Sequence, residues 1–268
     1  MKINILASLL AALVVPSVTL AATGDRHREE SEAWRVVRVA ELTKPDGWLS
    51  LIGLHFLQTG PNTIGSDQGN AVVLAQGPAR FGVATVGAAG KVRFEIAPGL
   101  DAKIAGQVVG SGELLLGVGA VKPTLVTAGT VSFFVIERGG KMALRVRDSA
   151  AARRTQFVGL DYFPFDPSWR IEARWVAFEK SRMIPLVNRL GQTSPALVPG
   201  KAVFEHAGKT YELLAIDEGP GEPLFFVIAD ATSGDETYAA ARFLYAERPR
   251  DGKIVLDFNR AENPPCAF

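Results

Sequence analysis

The C-terminal stretch from residue 229 to residue 268 holds most of the side chains that could do chemistry in this chain. Hydrophobic runs that predict strands separate these side chains, so a sheet would bring them to its ends. The side chains are carboxylates, hydroxyls, amides and guanidinium groups: Asp230, Thr232, Thr237, Tyr238, Arg242, Asp257, Asn259, Arg260 and Asn263. Groups of these kinds bind polar ligands through hydrogen bonds and, when suitably placed, transfer protons.

The strand pattern predicts where two of the carboxylates lie. The apolar run 225–229 puts Asp230 at the end of a strand, and Asp257 and Asn259 alternate with Phe258 at the end of the last strand. Alternating residues of a strand point to the same face. If these two strands are neighbours in the sheet, the two carboxylates converge with Arg242.

Three interpretations of this polar cluster stay open. In the first, a pocket beside it binds a small hydrophilic ligand through Asp230, Thr232, Thr237, Tyr238, Arg242, Asp257, Asn259 and Asn263. In the second, Asp230 and Asp257 are the acid/base pair of a hydrolase. In the third, the polar groups cap turns and Arg242 locks the fold of a structural or interaction protein. A pocket with satisfied carboxylates and an aromatic wall favours binding, whereas a buried Arg242 pair without a cavity favours the third interpretation.

The rest of the chain predicts a mainly β fold. Short apolar runs between glycines fill residues 59–148, and further runs follow from 170 to 258, with turns such as Gly139-Gly140 and Ala207-Gly208 between them. We predict two packed antiparallel β units, sandwich-like or barrel-like, over residues 48–150 and 151–268. Residues 63–67 and 129–136 give the first unit some similarity to a forkhead-associated sandwich, although the arginine and the Ser-x-x-His of its phosphothreonine site are missing.

An aromatic belt, residues 157–169, connects the two units. It is rich in proline and contains Tyr162, Phe163, Phe165 and Trp169. Such a cluster either forms the core between two units or offers a platform on which a sugar ring stacks.

The histidines predict neither a metal site nor a catalytic base. His27 falls in the polar segment 23–33, which we expect to be frayed and solvated, and His206 precedes a turn and should be exposed. His55 sits in the apolar run 48–57 without a second ligand at metal spacing. The chain also lacks Gly-x-Ser-x-Gly, His-Glu-x-x-His, P-loop and dinucleotide motifs. We therefore predict no metal and no cofactor.

The first 22 residues predict a cleaved secretory signal. Lys2 is followed by an apolar run over 5–15, by Pro16 and by small residues at Thr19 and Ala21. The mature protein would then be periplasmic or secreted and would have no membrane span, the alternative being a retained anchor. A polar tail and a short helix over about 28–43 should follow, stopped by Lys44-Pro45.

Composition limits the partners. With 29 basic and 28 acidic residues, the chain offers no basic face for nucleic acid, and its 47% hydrophobic residues are enough for a core. Cys266 is the only cysteine, so the chain cannot form a disulfide within itself. A small-molecule partner is compatible with the polar cluster, whereas the oligomeric state is not predicted.

Five sequence blocks resemble the bacterial and archaeal DUF1684 family. They are WLSLIGL at 48–54, IGSD at 64–67, RVRD at 145–148, DATSG at 230–234 with Thr237-Tyr238, and LDFNRA with NPPCAF at 256–268. The resemblance spans residues 34–268, and its last block is long and unusual. The function of the family is undefined, so the resemblance implies a relationship and no reaction. It also implies that relatives continue beyond the block around Cys266 into a short tail with a second cysteine.

Overall fold

The computed structural model describes residues 18–117, 121–187, 191 and 193–268. Most of the predicted signal segment, residues 1–17, lies outside the described residues. Helix α1 (Val18–Thr43) ends where the sequence predicts but begins well before residue 28, so the expectation of a frayed segment 23–33 is wrong. The reason is that this segment has a buried side, with His27 and Ser31 one helical turn apart, and an Arg26–Glu30 pair on its exposed side.

Two five-stranded sheets form a sandwich in the first part of the chain. In chain order its strands are β1 (Leu51–Phe56), β2 (Gly60–Gly65), β3 (Val72–Val73), β4 (Gly82–Val86), β5 (Val92–Ile96), β6 (Lys103–Ile104), β7 (Ser111–Leu114), β8 (Val126–Ala128), β9 (Val131–Arg138) and β10 (Lys141–Asp148). One sheet has the order β1-β10-β9-β8-β6 and the other β3-β2-β4-β5-β7. Neighbouring strands are antiparallel except β2 and β3. At the centre of the shared core, Phe81, Phe94 and Phe133 meet edge to face.

The second part of the chain forms a six-stranded sheet that curls into a half-barrel. After the short helix α2 (Ala152–Thr155), its strands are β11 (Arg170–Val187), β12 (Thr193–His206), β13 (Lys209–Asp217), β14 (Leu224–Ile228), β15 (Arg242–Ala246) and β16 (Lys253–Asp257). The order is β15-β14-β13-β12-β11-β16. The curl brings the two edges together, because Phe243 of β15 exchanges two backbone hydrogen bonds with Glu262, just beyond β16. The fold class is therefore mainly β with several antiparallel sheets and an N-terminal helix, as predicted.

Two strands are longer than the sequence predicts. The sequence predicts separate strands over 170–178 and 186–190, but both belong to the single strand β11 as far as Val187, and residues 188–190 lie outside the described residues. Strand β12 begins at Thr193, whereas the sequence pattern predicts a strand over 202–206 only. The pairing of β11 with β12 shifts in register at the point where charged residues and Pro199-Gly200 interrupt the alternation of apolar and polar residues. Such a bulge bends a strand without ending it, which the alternation pattern cannot distinguish from two short strands.

Helix α1 packs against the C-terminal part of the chain, although it precedes the sandwich in sequence. Arg38 pairs with Glu262, and His27 pairs with Asp257. The aromatic belt lies on the same side, since Phe165 packs against the His27 ring and Tyr162 against Trp34. The predicted boundary between two units at residues 150 and 151 stays a prediction. In the described part of the chain, no helix is long and apolar enough to cross a membrane.

The close approach of β11 to Gly200 should make this position intolerant of a side chain. A Cβ atom there would lie 2.5 Å from Cζ2 of Trp175 and 2.6 Å from the Val176 carbonyl oxygen. We expect Gly200→Ala to lower the free energy of unfolding by about 1–3 kcal/mol, because the bulge must shift to make room. Chemical denaturation checks this, with Gly110→Ala as the control, since no described atom would lie within 4 Å of its Cβ. Equal losses in both variants would contradict the prediction.

Candidate functional site

A cavity of about 890 Å³ lies between the half-barrel, the aromatic belt and helix α1. Arg35 of α1 lines it on one side, and side chains from β12, β13, the end of β14, the start of β15 and the turn after β16 line it on the other. Much of the wall is aromatic: Tyr162, Phe163, Trp169, Phe204, Tyr211, Phe258 and Phe268. The belt is thus part of the wall of a cavity, a place where it can act as a stacking platform.

Part of this wall is a set of rings in mutual contact. Trp169 lies over His206 with ring centroids 4.2 Å apart and meets Phe258 at 5.9 Å. Phe204 stacks on Tyr211 at 5.5 Å and touches Phe258 at 5.7 Å. The expectation that His206 is exposed is wrong, because the ring of Trp169 covers it and leaves it half-buried. The sequence pattern of the hairpin gives no sign of this contact with the belt.

The structure brings six of the eight predicted site residues to the cavity. They are Asp230, Thr232, Thr237, Arg242, Asn259 and Asn263. Tyr238 and Asp257 are not among the described residues that line it. The backbone N–H of Tyr238 donates to Asn263 Oδ1 at 3.1 Å, so this residue helps to hold Asn263 in place.

Asp230 organises the loop after β14. The Thr232 backbone N–H and hydroxyl donate to Asp230 Oδ1 at 2.9 and 2.5 Å, and Arg242 donates to Oδ2. Burial raises the pKa of Asp230, but the hydrogen bonds from Thr232 and the charge of Arg242 outweigh it, so the pKa lies below its usual range. Asp230 is therefore a satisfied, ionised carboxylate.

Asn259 fastens the aromatic belt to the half-barrel. Its Oδ1 accepts from the Asp166 backbone N–H at 3.0 Å, and its Nδ2 donates to the Asp166 carbonyl oxygen at 2.9 Å. The expectation that Asn259 continues the last strand is wrong, because Phe258–Arg260 is a 3-10 helix. Asp257 starts this turn by accepting from the Asn259 backbone N–H, so the two residues are linked by capping and not by strand alternation.

Asp257 meets helix α1 instead of Asp230. Strand β16 pairs with β11, and β14 pairs with β13 and β15, so the neighbouring arrangement considered for the two carboxylates does not occur. Asp257 Oδ2 lies 2.7 Å from His27 Nε2 and 3.4 Å from Arg260 Nε. The expectation that His27 is solvated is wrong, since only 6% of it is exposed. The stripe formed by His27, Ser31 and Leu42 on one helix face is the sequence signal that indicates this burial.

Sequence reasoning missed the charged groups at the end of the cavity near α1. Arg38 Nε lies 2.7 Å from Glu262 Oε2, and both side chains are almost buried. Glu262 also lines the cavity. Burial raises the pKa of Glu262, and the charge of Arg38 opposes this only in part. Charged residues on a helix usually face water, so sequence alone gives no reason to place Arg38 inside.

Three donors beside the cavity are buried without a hydrogen-bond acceptor in the described part of the chain. They are Arg35 Nε, Arg242 Nε and the Tyr162 hydroxyl. The Arg35 guanidinium lies 4.4 Å from the centre of the Tyr162 ring and donates through Nη2 to the Phe163 carbonyl oxygen at 3.2 Å. Burial raises the pKa of Tyr162, while the nearby Arg35 charge lowers it. The hydroxyl therefore stays protonated and able to donate.

Residues 155–268 match a family model described as a protein of unknown function, DUF1684. This match confirms the predicted resemblance to DUF1684. The DUF1684 segment contains the half-barrel, the whole belt and every residue of the polar cluster, whereas α1 and the sandwich precede it. The blocks at 48–54, 64–67 and 145–148 lie outside the matched segment and stay a resemblance.

One solved structure is similar to this chain over part of its length. It is the solution NMR structure of an uncharacterised protein of Haloarcula marismortui, 33% identical, with a TM-score of 0.37. The similarity covers 43% of this chain and 66% of that protein, so this chain spans just under two thirds of its length. No curated protein matches the chain.

Removing the Asp257 carboxylate should loosen helix α1 from the half-barrel. Asp257→Ala leaves His27, Asn259 and Arg260 without their acceptor, and we expect the free energy of unfolding to fall by about 2–4 kcal/mol. Asp257→Asn should cost less, because an amide still accepts from Asn259 and can donate to His27. Chemical denaturation measures both, with exposed Asp235→Ala as the control. Equal losses for the alanine and asparagine variants would argue against this role.

The raised pKa of Glu262 should make stability depend on pH. The folded protein keeps this proton to a higher pH than the unfolded chain, so wild type loses stability as pH rises through the interval between the two pKa values. The amide that Glu262→Gln introduces cannot titrate, although it also leaves Arg38 unpaired at every pH. We therefore expect the unfolding free energy of wild type minus that of the variant to decrease from pH 4 to pH 7, measured by denaturation at several pH values. A difference that is constant with pH would contradict the assignment.

Proposed function

We propose that this protein binds a small molecule in the cavity between the half-barrel, the aromatic belt and helix α1. The observation that carries the proposal is the combination of an aromatic wall with satisfied carboxylates around a space of about 890 Å³. Volumes of this order are typical of small-molecule sites, which are concave and mostly apolar with a few placed polar groups. The arrangement corresponds to the binding interpretation of the polar cluster.

The polar cluster also has the structural role that the third interpretation assigns to it. Arg242 pairs with Asp230, as that interpretation expects, but the pair lies at the edge of a cavity and not in a closed core. Polar groups that satisfy one another hold the shape of the wall, which is the preorganisation that a binding site needs. The structural role therefore supports the binding proposal and does not replace it.

The lining extends the ligand class beyond a purely hydrophilic molecule. Apolar side chains such as Leu213, Ile228 and Ala261 join the aromatic wall, while Thr237, Asn263 and Glu262 offer polar groups. A ligand that fills this space would have an aromatic or aliphatic body and at least one polar group.

The geometry does not favour the hydrolase with an Asp230 and Asp257 pair. A general acid of this kind needs a raised pKa, whereas the pKa of Asp230 is lowered. Asp257 is occupied by His27 and Arg260 and is absent from the described cavity lining. We therefore keep binding as the proposed function.

We further propose that binding takes place outside the cytoplasm, in the periplasm or after secretion. The support is the sequence of the first 22 residues, with its basic start, apolar run and small residues before the expected cleavage site. His27 and Arg38 of helix α1, which pair with Asp257 and Glu262, both follow residue 22, so cleavage there would leave these contacts in the mature protein.

The neutral fluorescent probe N-phenyl-1-naphthylamine tests the cavity directly. We expect saturable fluorescence enhancement with one probe per chain, because the aromatic wall excludes water from the bound rings. Ala229→Trp places an indole at the cavity wall and should weaken probe binding roughly tenfold or more, about 1.4 kcal/mol or more. The matched control is Ala240→Trp, at an exposed alanine of the same region that does not line the cavity.

Two outcomes would overturn the proposed function. One is probe binding that both tryptophan variants leave unchanged, and the other is no saturable binding to the folded wild type. If the probe binds, a thermal-shift screen of sugars, nucleotides, organic acids and divalent metals against wild type and Ala229→Trp identifies the natural class of ligand. A true ligand raises the melting temperature of wild type only.

A further inference from the structure

We propose that the cavity takes a small organic anion, whose charged group binds between Arg35 and Arg242 beside Phe163. This inference rests on the proposed binding function and names the class of ligand for the same cavity. All three residues line the cavity, and both arginines contact Phe163. Arg35 donates to its carbonyl oxygen at 3.2 Å, and the Arg242 guanidinium lies 5.8 Å from the centre of its ring.

Arg35 is a cation with unused capacity. No carboxylate of the described residues lies within ion-pair distance of it, since its contacts are the Phe163 carbonyl oxygen and the face of the Tyr162 ring. Its Nε is buried and donates to no described acceptor. A guanidinium keeps its charge at any physiological pH and offers five N–H donors, and burying one of these donors without an acceptor is costly. An anion from outside the chain would remove this cost.

Arg242 supplies a second guanidinium that is fixed in place. Asp230 holds one of its Nη groups, and only 13% of its side chain is exposed. Its Nε is also buried without an acceptor among the described residues. The pair with Asp230 therefore orients the group without using all of its donors, as is usual where a guanidinium recognises a carboxylate or phosphate.

The balance of charge at this end of the cavity leaves an excess of positive charge. The guanidinium groups are those of Arg35, Arg38 and Arg242, and the almost buried or paired carboxylates beside them are Asp230 and Glu262. Arg38 and Arg242 are matched by Glu262 and Asp230, so Arg35 remains the unmatched cation. The other acidic residues of the lining, Asp161, Asp166 and Glu236, are exposed, where water and salt screen their charge.

The surroundings also accommodate the rest of such a ligand. The Tyr162 hydroxyl, buried without an acceptor in the described part, is a third donor at this end. Beyond it the rings of Trp169, Phe204 and Phe258 continue the cavity wall. A carboxylate, sulfonate or phosphate attached to a flat or aliphatic body fits both parts of the wall.

A matched pair of probes separates the charge from the body. The probe 8-anilinonaphthalene-1-sulfonate has the skeleton of N-phenyl-1-naphthylamine plus one sulfonate. We expect wild type to bind the sulfonate at least tenfold more tightly than the neutral probe, because hydrogen bonds to charged groups are the strong ones. Arg35→Met should reduce this ratio about tenfold while leaving the affinity for the neutral probe nearly unchanged. Arg35→Lys keeps the charge but not the planar fork, so its ratio of probe affinities should lie between those of wild type and Arg35→Met.

Arg28→Met is the control for a general effect of charge. Arg28 lies on the same helix and also covers a ring of the belt, at 4.8 Å from the centre of Phe165, but it does not line the cavity. We expect Arg28→Met to keep the wild-type ratio of the affinities for the sulfonate and the neutral probe. Arg242→Gln tests the second guanidinium beside Phe163 in the same way. The melting temperature of this variant reports whether the loop around Asp230 is intact.

Displacement of the neutral probe by octanoate, octyl phosphate and octylamine identifies the charged group. Octanoate or octyl phosphate should displace it at lower concentration than octylamine, and the stronger of the two distinguishes a carboxylate ligand from a phosphate ligand. Stronger displacement by octylamine would overturn the proposal. An unchanged ratio of probe affinities in Arg35→Met would also overturn the proposal. Neutral-probe binding in the cavity would then still support the proposed function. Failure of the neutral probe itself would overturn both.

Discussion

The buried ion pair between Arg38 and Glu262 connects the first helix to the last segment of the chain, and the cavity depends on this connection. The two atoms lie 2.7 Å apart, and Glu262 is at the same time held to β15 by two backbone hydrogen bonds. A buried pair of this kind adds little net stability, because both charges lose their water. Breaking it is costly, however, since the remaining charge stays buried. The pair therefore fixes where helix α1 lies more than how stable the protein is.

The polar groups around the cavity fall into two kinds. Those of the loop after β14 and of the last turn, such as Asp230 and Asn259, are engaged with one another and with the backbone. Those of the helix and the belt, Arg35 and Tyr162, keep buried donors that nothing in the described part of the chain accepts. The first kind holds the wall in shape, and the second kind gives the wall its chemical preference. The proposed binding would therefore need little rearrangement of the wall.

The sequence predicts the strands well and the long-range contacts poorly, for physical reasons. Strand β15 spans Arg242–Ala246, which are the bounds that the apolar run in the sequence predicts, since alternation and turn residues are local signals. The polar cluster is also a local signal, and six of its residues do line the cavity. Arg38 is out of reach of the sequence, because a charged residue on a helix faces water unless a partner far along the chain covers it. Asn259 was misplaced because a strand and a 3-10 turn differ by one capping hydrogen bond.

The contact between His27 and Asp257 joins residues that are 230 positions apart. Nearly the whole chain lies between them, including the sandwich, whose core is made from residues between 52 and 146. Contacts between residues so far apart in the sequence form late in folding. The local strand pairs form first and shorten the loop that such a contact must close. The sandwich can thus be complete while the cavity has no helix beside it. The cavity is then completed late in folding, once the segment around Asp257 meets helix α1.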